Sequence, residues 1–370
     1  MSRAGVLGLG LWVPDEVRRN GAWPRSFIEA FAQTASARSA RDFTTVEARG
    51  DESAHASLMA KHAGTYEHDP FRGAVERRVS SEDVPTAECD ARAARLALED
   101  AGVDARDVDH VLSAALVPDR IVPSNGPAVQ HLAGCRSAVG LGVDSVCSSA
   151  LSQLEIAAAL VESGRARLVL CVQSHHVARA NDLTVPFSPM FGDASSAFVV
   201  GSVAPDRGLT FLQRDGDGAL ASAITFVYSR TPGARWYRDA RGPVHPGTDD
   251  VVAARHLNRH LLRLAVEAIR LVSENARVPL DEIAAIAMIQ PTAWYQAAVA
   301  DALDIASERV PSTFPRYAHI GAAGVVANLI EARARGLLRD GSPVVLYAHG
   351  AGITRYAALV RWRARCRSPQ

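Results

Sequence analysis

Two segments in the middle of the chain, "RLVLCVQS" (167–174) and "SAFVVGSV" (196–203), are unbroken apolar runs bounded by polar residues or glycine. They lack the every-second-residue polarity of a half-exposed strand, so they predict strands buried on both faces. "AIAMIQ" (285–290), "SPVVLYAHG" (342–350) and "YAALVRW" (356–362) read the same way. Apolar positions recurring every three or four residues predict helices over 87–102, 148–163, 253–275 and 323–337. The opening "MSRAGVLGLGLWVPDEV" has only a short apolar run before Pro14 and Asp15. It is too short for a membrane span and wrongly flanked for a signal peptide, and it predicts a first strand. Strands alternating with helices imply an α/β protein with a parallel or mixed sheet.

The pattern also repeats itself. "ARLALEDAGVDARDVDHVLSAAL" (94–116) has the same helix, turn and buried strand as "EAIRLVSENARVPLDEIAAIAMI" (267–289), with Val103, Val108 and Val111 answered by Val278, Ile283 and Ile286. Further on, "ESGRARLVLCV" (162–172) is echoed by "RDGSPVVLYAH" (339–349). Two ordered matches about 175 residues apart predict two similar halves about a pseudo-twofold axis, 1–205 and 206–370, divided near "VAPDRGLT". The segment 28–72 fits neither half and is expected to be an insertion that shapes a substrate entrance.

Composition narrows the classes. The chain has 370 residues, 48% of them hydrophobic and 22% charged, with 40 basic residues balancing 40 acidic ones. So even a balance, with Lys61 the single lysine, argues against nucleic acid or a membrane surface as partner. The five cysteines (89, 135, 147, 171 and 366) form neither a disulfide framework nor a metal-binding spacing, which suits a reducing, cytoplasmic setting.

One of these cysteines stands out. In "GVDSVCSSALSQLEIAAALVESG" (142–164) Cys147 falls where an apolar run gives way to a helix, at the positive end of the helix dipole. That placement is expected to lower its pKa and favour the thiolate, the form that attacks thioesters. A buried, inert cysteine is the alternative reading of this motif alone. "MFGDASSAFVVG" (190–201) and "AHGAGITRYAALVRW" (348–362) are glycine turns entering buried strands. Such turns bring backbone N–H groups close to a reacting carbonyl, as an oxyanion hole requires, although each could simply be a tight turn.

Taken in order, these segments resemble the β-ketoacyl-acyl carrier protein synthase III-like enzymes of the thiolase superfamily, over most of the chain except about 28–65. The resemblance rests on "VERRVSS" (75–81), "VPSNGPAVQHLAG" (122–134), "DSVCSSALSQLEIA" around Cys147, "FGDASSA", and the closing "GAGITRYAALVRW". It implies a five-layered α-β-α-β-α thiolase fold, normally a homodimer. Cys147 would carry an acyl group taken from coenzyme A or an acyl carrier protein. The backbone N–H groups of Cys147 and Ala351 would form the oxyanion hole. One of Arg77 and Arg78 would guard the coenzyme A or phosphopantetheine entrance, with a structural salt bridge as the alternative.

The chain departs from that family where its condensing members place a His and an Asn that support decarboxylation. The first motif reads "IQPTAW" (289–294), with Pro291 for the His, and the second reads "YAHIGAAG" (317–324), with His319 for the Asn. Proline offers no donor, base or charge, so the expected reaction shifts from condensation to acyl transfer onto a second nucleophile, as in the specialised-metabolism (polyketide-type) branch. That reaction needs a thiolate, an oxyanion hole and a base. His319 is the first candidate base, His349 the second, and His175 with His176 the third. Trp294 would line the second-substrate pocket at Pro291, together with Tyr295 and Tyr317, unless these aromatics pack into the core. His55, His62, His68, His256 and His260 are expected on solvated faces. His256 and His260 lack a third metal ligand, and "GLGLWVP" lacks a dinucleotide fingerprint, so no metal or cofactor is expected. The alternatives are a condensing enzyme with a rearranged His and a non-catalytic partner subunit of a heteromeric ketosynthase.

Overall fold

The computed structural model describes residues 3–38, 51–227 and 245–364. Cys366 and part of the 28–72 segment lie outside them. Strands β1 (Arg3–Trp12), β4 (His110–Leu116), β5 (Val139–Gly142), β6 (Leu168–His175) and β7 (Ala194–Val203) form one sheet in the order β1-β7-β6-β4-β5. Strands β8 (Gly208–Gly216), β11 (Ala285–Met288), β12 (Pro343–Gly350) and β13 (Thr354–Arg361) form a second, in the order β11-β12-β13-β8. Two short ribbons, β2 (Val17–Arg19) with β3 (Glu76–Arg78) and β9 (Thr225–Val227) with β10 (His245–Gly247), complete the strands described.

Helices α3 (Thr86–Ala101) and α4 (Gly126–Leu132) cover the outer face of the first sheet, and α6 (Val251–Ala276) and α7 (Tyr295–Leu303) that of the second. Between the sheets lie α5 (Ser149–Glu162) and α9 (Ala323–Ala334), α8 being the short turn Phe314–Tyr317. Leu151, Leu154, Val326 and Leu329 share one apolar core with Phe198 of the first sheet and Leu346 of the second. Five layers result, and they explain the unbroken apolar runs, because β6 and β12 have a helix layer on each face. A small apolar void of about 20 Å³ remains between α5 and α9.

The internal echo is reproduced in the backbone register. β4 pairs in parallel with β6 through His110 and Val169, and β11 with β12 through Ala285 and Val344, both partners displaced by 175 residues. α3 and α6 end at Ala101 and Ala276 on left-handed caps, Gly102 and Arg277, at the same displacement. The predicted helices and strands agree with those observed to within a few residues. Of the 28–72 segment, α1 spans Arg25–Arg38 and α2 spans Asp51–Gly64. α2 lies against α7 and is pinned there by Lys61 and His62, each 2.8 Å from Asp301. His62 is therefore mostly covered, not solvated as expected.

Candidate active site

The turn Val146–Ser148 leads into α5 and carries Cys147, so the predicted thiol does stand at a helix start. Val146 has φ 56°, an unusual conformation for a β-branched residue, costing on the order of 1–3 kcal/mol. The turn is held by local hydroxyls. Asp144 accepts from the Val146 N–H and the Ser149 hydroxyl, and Ser148 Oγ donates to the Ser145 carbonyl at 2.7 Å. Ser148 Oγ also lies 2.7 Å from Thr354 Oγ1, which ties the nucleophile turn to the β12–β13 hairpin of the other half. Gly350 belongs to that hairpin, and a Cβ there would meet the Ser145 carbonyl at 2.1 Å. Only glycine lets these two turns approach so closely.

The expected lowering of the Cys147 pKa does not occur. Desolvation, reinforced by Asp144, pushes the thiol up to about 12, outweighing its own backbone N–H. A neutral thiol needs a base within reach. His319 supplies one, with Nε2 3.5 Å from Cys147 Sγ. Its Nδ1 lies 3.0 Å from the Gln290 carbonyl. A carbonyl oxygen only accepts, so Nδ1 carries the ring proton and Nε2 is a bare acceptor facing the thiol. Burial pushes His319 down to about 4, so it is neutral at physiological pH.

Several elements fix His319. It follows Ala318, whose φ of 55° is unusual for a residue with a Cβ, and precedes Gly321 at 54°. Its backbone N–H donates to Met190 O, and its carbonyl accepts from Gly192 N–H. The carbonyl that sets its tautomer belongs to Gln290, whose side chain is locked by donating to Ala318 O and accepting from Thr313 and Asn328. Sequence reading missed Gln290, Thr313 and Asn328. The available signal was a lone amide inside an apolar stretch, at the end of "AIAMIQ" and within "GVVANLIEA". Such residues are retained when their hydrogen bonds are satisfied in the core.

The other candidates divide. His349, next to Gly350, lies close enough to His319 for each charge to oppose the other, and burial holds it down to about 3. His175 packs edge-on against the His319 ring at 5.5 Å and binds the Gly192 carbonyl through Nδ1, while its Nε2 is buried without a partner. His176 belongs to a structural chain, between Ser80 and Ser195, with Ser195 donating to Asp90. The "FGD" turn therefore braces His319 instead of offering an oxyanion donor, since Asp193 accepts backbone N–H bonds from Ser80, Ala178 and Arg179.

Arg77 does not guard an entrance. It is wholly buried between Trp23 and Phe71 and bonded to Pro189 O and Asn20, a placement no bulky phosphate could share. Arg78, on the same ribbon, donates to Pro14 O. Tyr295 is fully buried with its hydroxyl on Leu261 O, and Trp294 stands edge-on to it at 5.8 Å. Tyr317 packs against Ile320 and Ala323. The three aromatics thus serve the core, and Pro291 follows the locked Gln290, half-buried. His256 and His260 stack on each other at 4.3 Å, and among the described residues no three ligands assemble that could hold a metal. No described helix is long and apolar enough to cross a membrane.

Two sheets enclosing two central helices, with a thiol and an imidazole meeting at their ends, define an enzyme of the thiolase-fold, cysteine-thioester class. The family described as 3-oxoacyl-[acyl-carrier-protein (ACP)] synthase III matches residues 141–218, and the C-terminal family of the same description matches 273–362. The β-ketoacyl-[acyl-carrier-protein] synthase III of Roseiflexus sp. (strain RS-1) is 31% identical over 298 residues, covering 79% of this chain and 88% of that protein. The fold is shared with the priming β-ketosynthase of the R1128 polyketide biosynthetic pathway (TM-score 0.77, 22% identity, 98% of this chain and 96% of that one). It is likewise shared with 3-oxoacyl-(acyl carrier protein) synthase III of Pseudomonas aeruginosa PAO1 (TM-score 0.76, 21% identity, 98% and 99%). The chain belongs to the 3-oxoacyl-[acyl-carrier-protein] synthase III family.

Proposed function

We propose that this protein is an acyltransferase that moves an acyl group from a coenzyme A or acyl-carrier-protein thioester, through Cys147, to a hydroxyl, amine or thiol acceptor in specialised metabolism. The observation that carries this reading is the bare Nε2 of His319 facing Cys147. In the first half-reaction the thiol proton passes to His319 Nε2 as the sulfur attacks the thioester carbonyl. The tetrahedral intermediate, held by the backbone N–H groups of Cys147 and Ala351, collapses to acyl-Cys147. The departing thiol takes the proton back from the imidazolium. The acceptor then displaces Cys147 from the acyl group.

A decarboxylative condensation, the reaction implied by the names of the relatives, needs hydrogen-bond donors aimed at the enolate oxygen that forms when CO₂ leaves. His319 in this tautomer accepts there, and Pro291 has no side-chain donor at all. Incubation with a panel of acyl-coenzyme A and acyl-carrier thioesters should give a mass adduct on the intact protein that is absent from Cys147→Ala. The acyl-enzyme should then release no CO₂ from malonyl thioester. Carbon dioxide release coupled to a β-ketoacyl product would overturn the transferase reading, and no adduct with any donor would favour a non-catalytic subunit.

A further inference from the structure

Two large apolar rings stand beside the imidazole that faces Cys147, and they are not spent on the core. Phe191 bridges backbone to backbone with His319, whose N–H donates to Met190 O and whose carbonyl accepts from Gly192 N–H. The Phe191 ring lies 6.1 Å from the His319 ring and 5.8 Å from that of His175. Phe226, on the ribbon β9–β10, stands edge-on to Phe191 at 5.7 Å. Tilted and edge-on contacts at these separations are favourable, so the rings form one continuous wall that starts at His319. Both phenylalanines are half-buried, and among the described residues neither joins any of the hydrophobic clusters. The wall therefore has apolar surface left to cover, next to the base that lies 3.5 Å from the Cys147 sulfur.

The wall itself carries no charge. Burial pushes its two imidazoles down, His319 to about 4 and His175 to about 3, and its other two rings are hydrocarbon. A carboxylate at the far end of an acyl chain would lose its water there and gain no counter-charge. The outer end of the wall is set by the ribbon, which is closed at its base. There the Ser222 carbonyl accepts from the Thr248 hydroxyl at 3.0 Å and from the Asp249 and Asp250 N–H groups. The ribbon register sets Phe226 opposite Pro246. We infer that Phe226 is a specificity-determining residue for acylation of Cys147. With Phe191 it closes an apolar acyl site beside His319 that takes uncharged acyl groups and limits their length. Simple alkanoyl thioesters fit such a site, and the half-thioester of a dicarboxylic acid does not.

This role rests on the first half-reaction of the transferase reading, the acylation of Cys147, and one experiment separates their failures. The full-length protein and its Phe226→Ala and Phe226→Trp variants are incubated with butyryl-, octanoyl- or succinyl-coenzyme A. Adduct formation at Cys147 is followed by intact mass over a range of donor concentrations, and folding is checked by thermal denaturation. Phe226→Ala should raise the octanoyl-to-butyryl ratio of kcat/KM about tenfold, and Phe226→Trp should lower it by about as much, because a pocket discriminates alkyl length by the space it leaves. Succinyl-coenzyme A should load the wild-type protein on the order of 100-fold more slowly than butyryl-coenzyme A. Ratios within about twofold of wild type in both variants overturn the role of Phe226. Should Phe226→Ala fail to fold, an unchanged ratio in Phe226→Trp overturns it. Succinyl loading at the butyryl rate overturns the uncharged site. Carbon dioxide release from malonyl thioester, coupled to a β-ketoacyl product, overturns the transferase reading and leaves this inference standing. A wild-type protein that forms no adduct with any donor overturns both.

Discussion

The two halves of the molecule are built alike and end differently. In each, a parallel strand pair, displaced by 175 residues between the halves, is joined by a crossover that ends in a central helix, α5 in the first and α9 in the second. The residue just before the active group is held at a left-handed φ in both, Val146 before Cys147 and Ala318 before His319. In the first half the turn entering the helix carries the nucleophile, and in the second the loop before the helix carries the base that faces it across 3.5 Å. The strand ends differ too. β6 ends in His175, which braces a turn, whereas β12 ends at His349 and a glycine turn fitted to the nucleophile. One scaffold used twice has brought complementary groups together from the segments that lead into its two central helices, and the strained residues before them are the cost of aiming each one.

The most severe way to break this complementarity is to remove the base. His319→Gln keeps the bulk and should slow formation of the Cys147 adduct 10²- to 10³-fold, mostly in kcat, measured by single-turnover mass spectrometry. A loss below about threefold would mean that some other group takes the thiol proton. Next in size, Gly350→Ala forces a Cβ onto the Ser145 carbonyl and should cost about 1–3 kcal/mol, read from chemical denaturation. Its adduct formation should fall more than stability alone explains, because the two halves must part at the site.

Acidification sharpens the same contrast through charge. His175, His319 and His349 are pushed down by burial to about 3, 4 and 3, and His176 falls well below its usual range. Below 6.5 the unfolded chain binds protons that the folded one refuses, so stability present above 6.5 is lost as pH falls. Asp90 and Asp193, both pushed up to about 7 by burial, act oppositely, since the folded chain binds their protons first between 7 and 3.8. Four groups outweigh two, and the melting temperature should fall between pH 6.5 and 4. A melting temperature that rises over that interval would show the histidines to be protonated in the fold. The smallest effect is the control. Cys171 is buried with its thiol pushed up as well, but it faces only the Gln153 carbonyl at 3.8 Å. Cys171→Ala should leave the adduct unchanged and cost about 1 kcal/mol or less in denaturation, so a lost adduct would mean that the wrong thiol had been chosen.

Much of this was legible beforehand. Unbroken apolar runs and their repetition disclosed the sheets and halves, because a doubly covered strand leaves no polar face to confuse the reading. Cys147 and His319 were legible as residue types in motif positions, but their meeting depends on a turn of one half and a loop of the other converging. Three features resisted. The thiol is pushed up by desolvation, which has no signature in local sequence. Arg77 reads as a phosphate ligand in one dimension and as the filling of an aromatic box in three. The tautomer of His319 is set by a main-chain oxygen, Gln290 O, which no side-chain pattern reports.

The desolvation of the Cys147 thiol has a consequence for the durability of the protein. With its pKa raised to about 12 by desolvation, the thiol is held protonated at pH 7. Oxidants and alkylating agents react with the thiolate, so the protonated resting thiol reacts with them more slowly than a thiolate would. An acyl thioester seated beside His319 meets a different group, because there the proton leaves as the bond forms. The protein thus carries its reactive sulfur in its less reactive protonated form and makes it a nucleophile as a thioester is attacked.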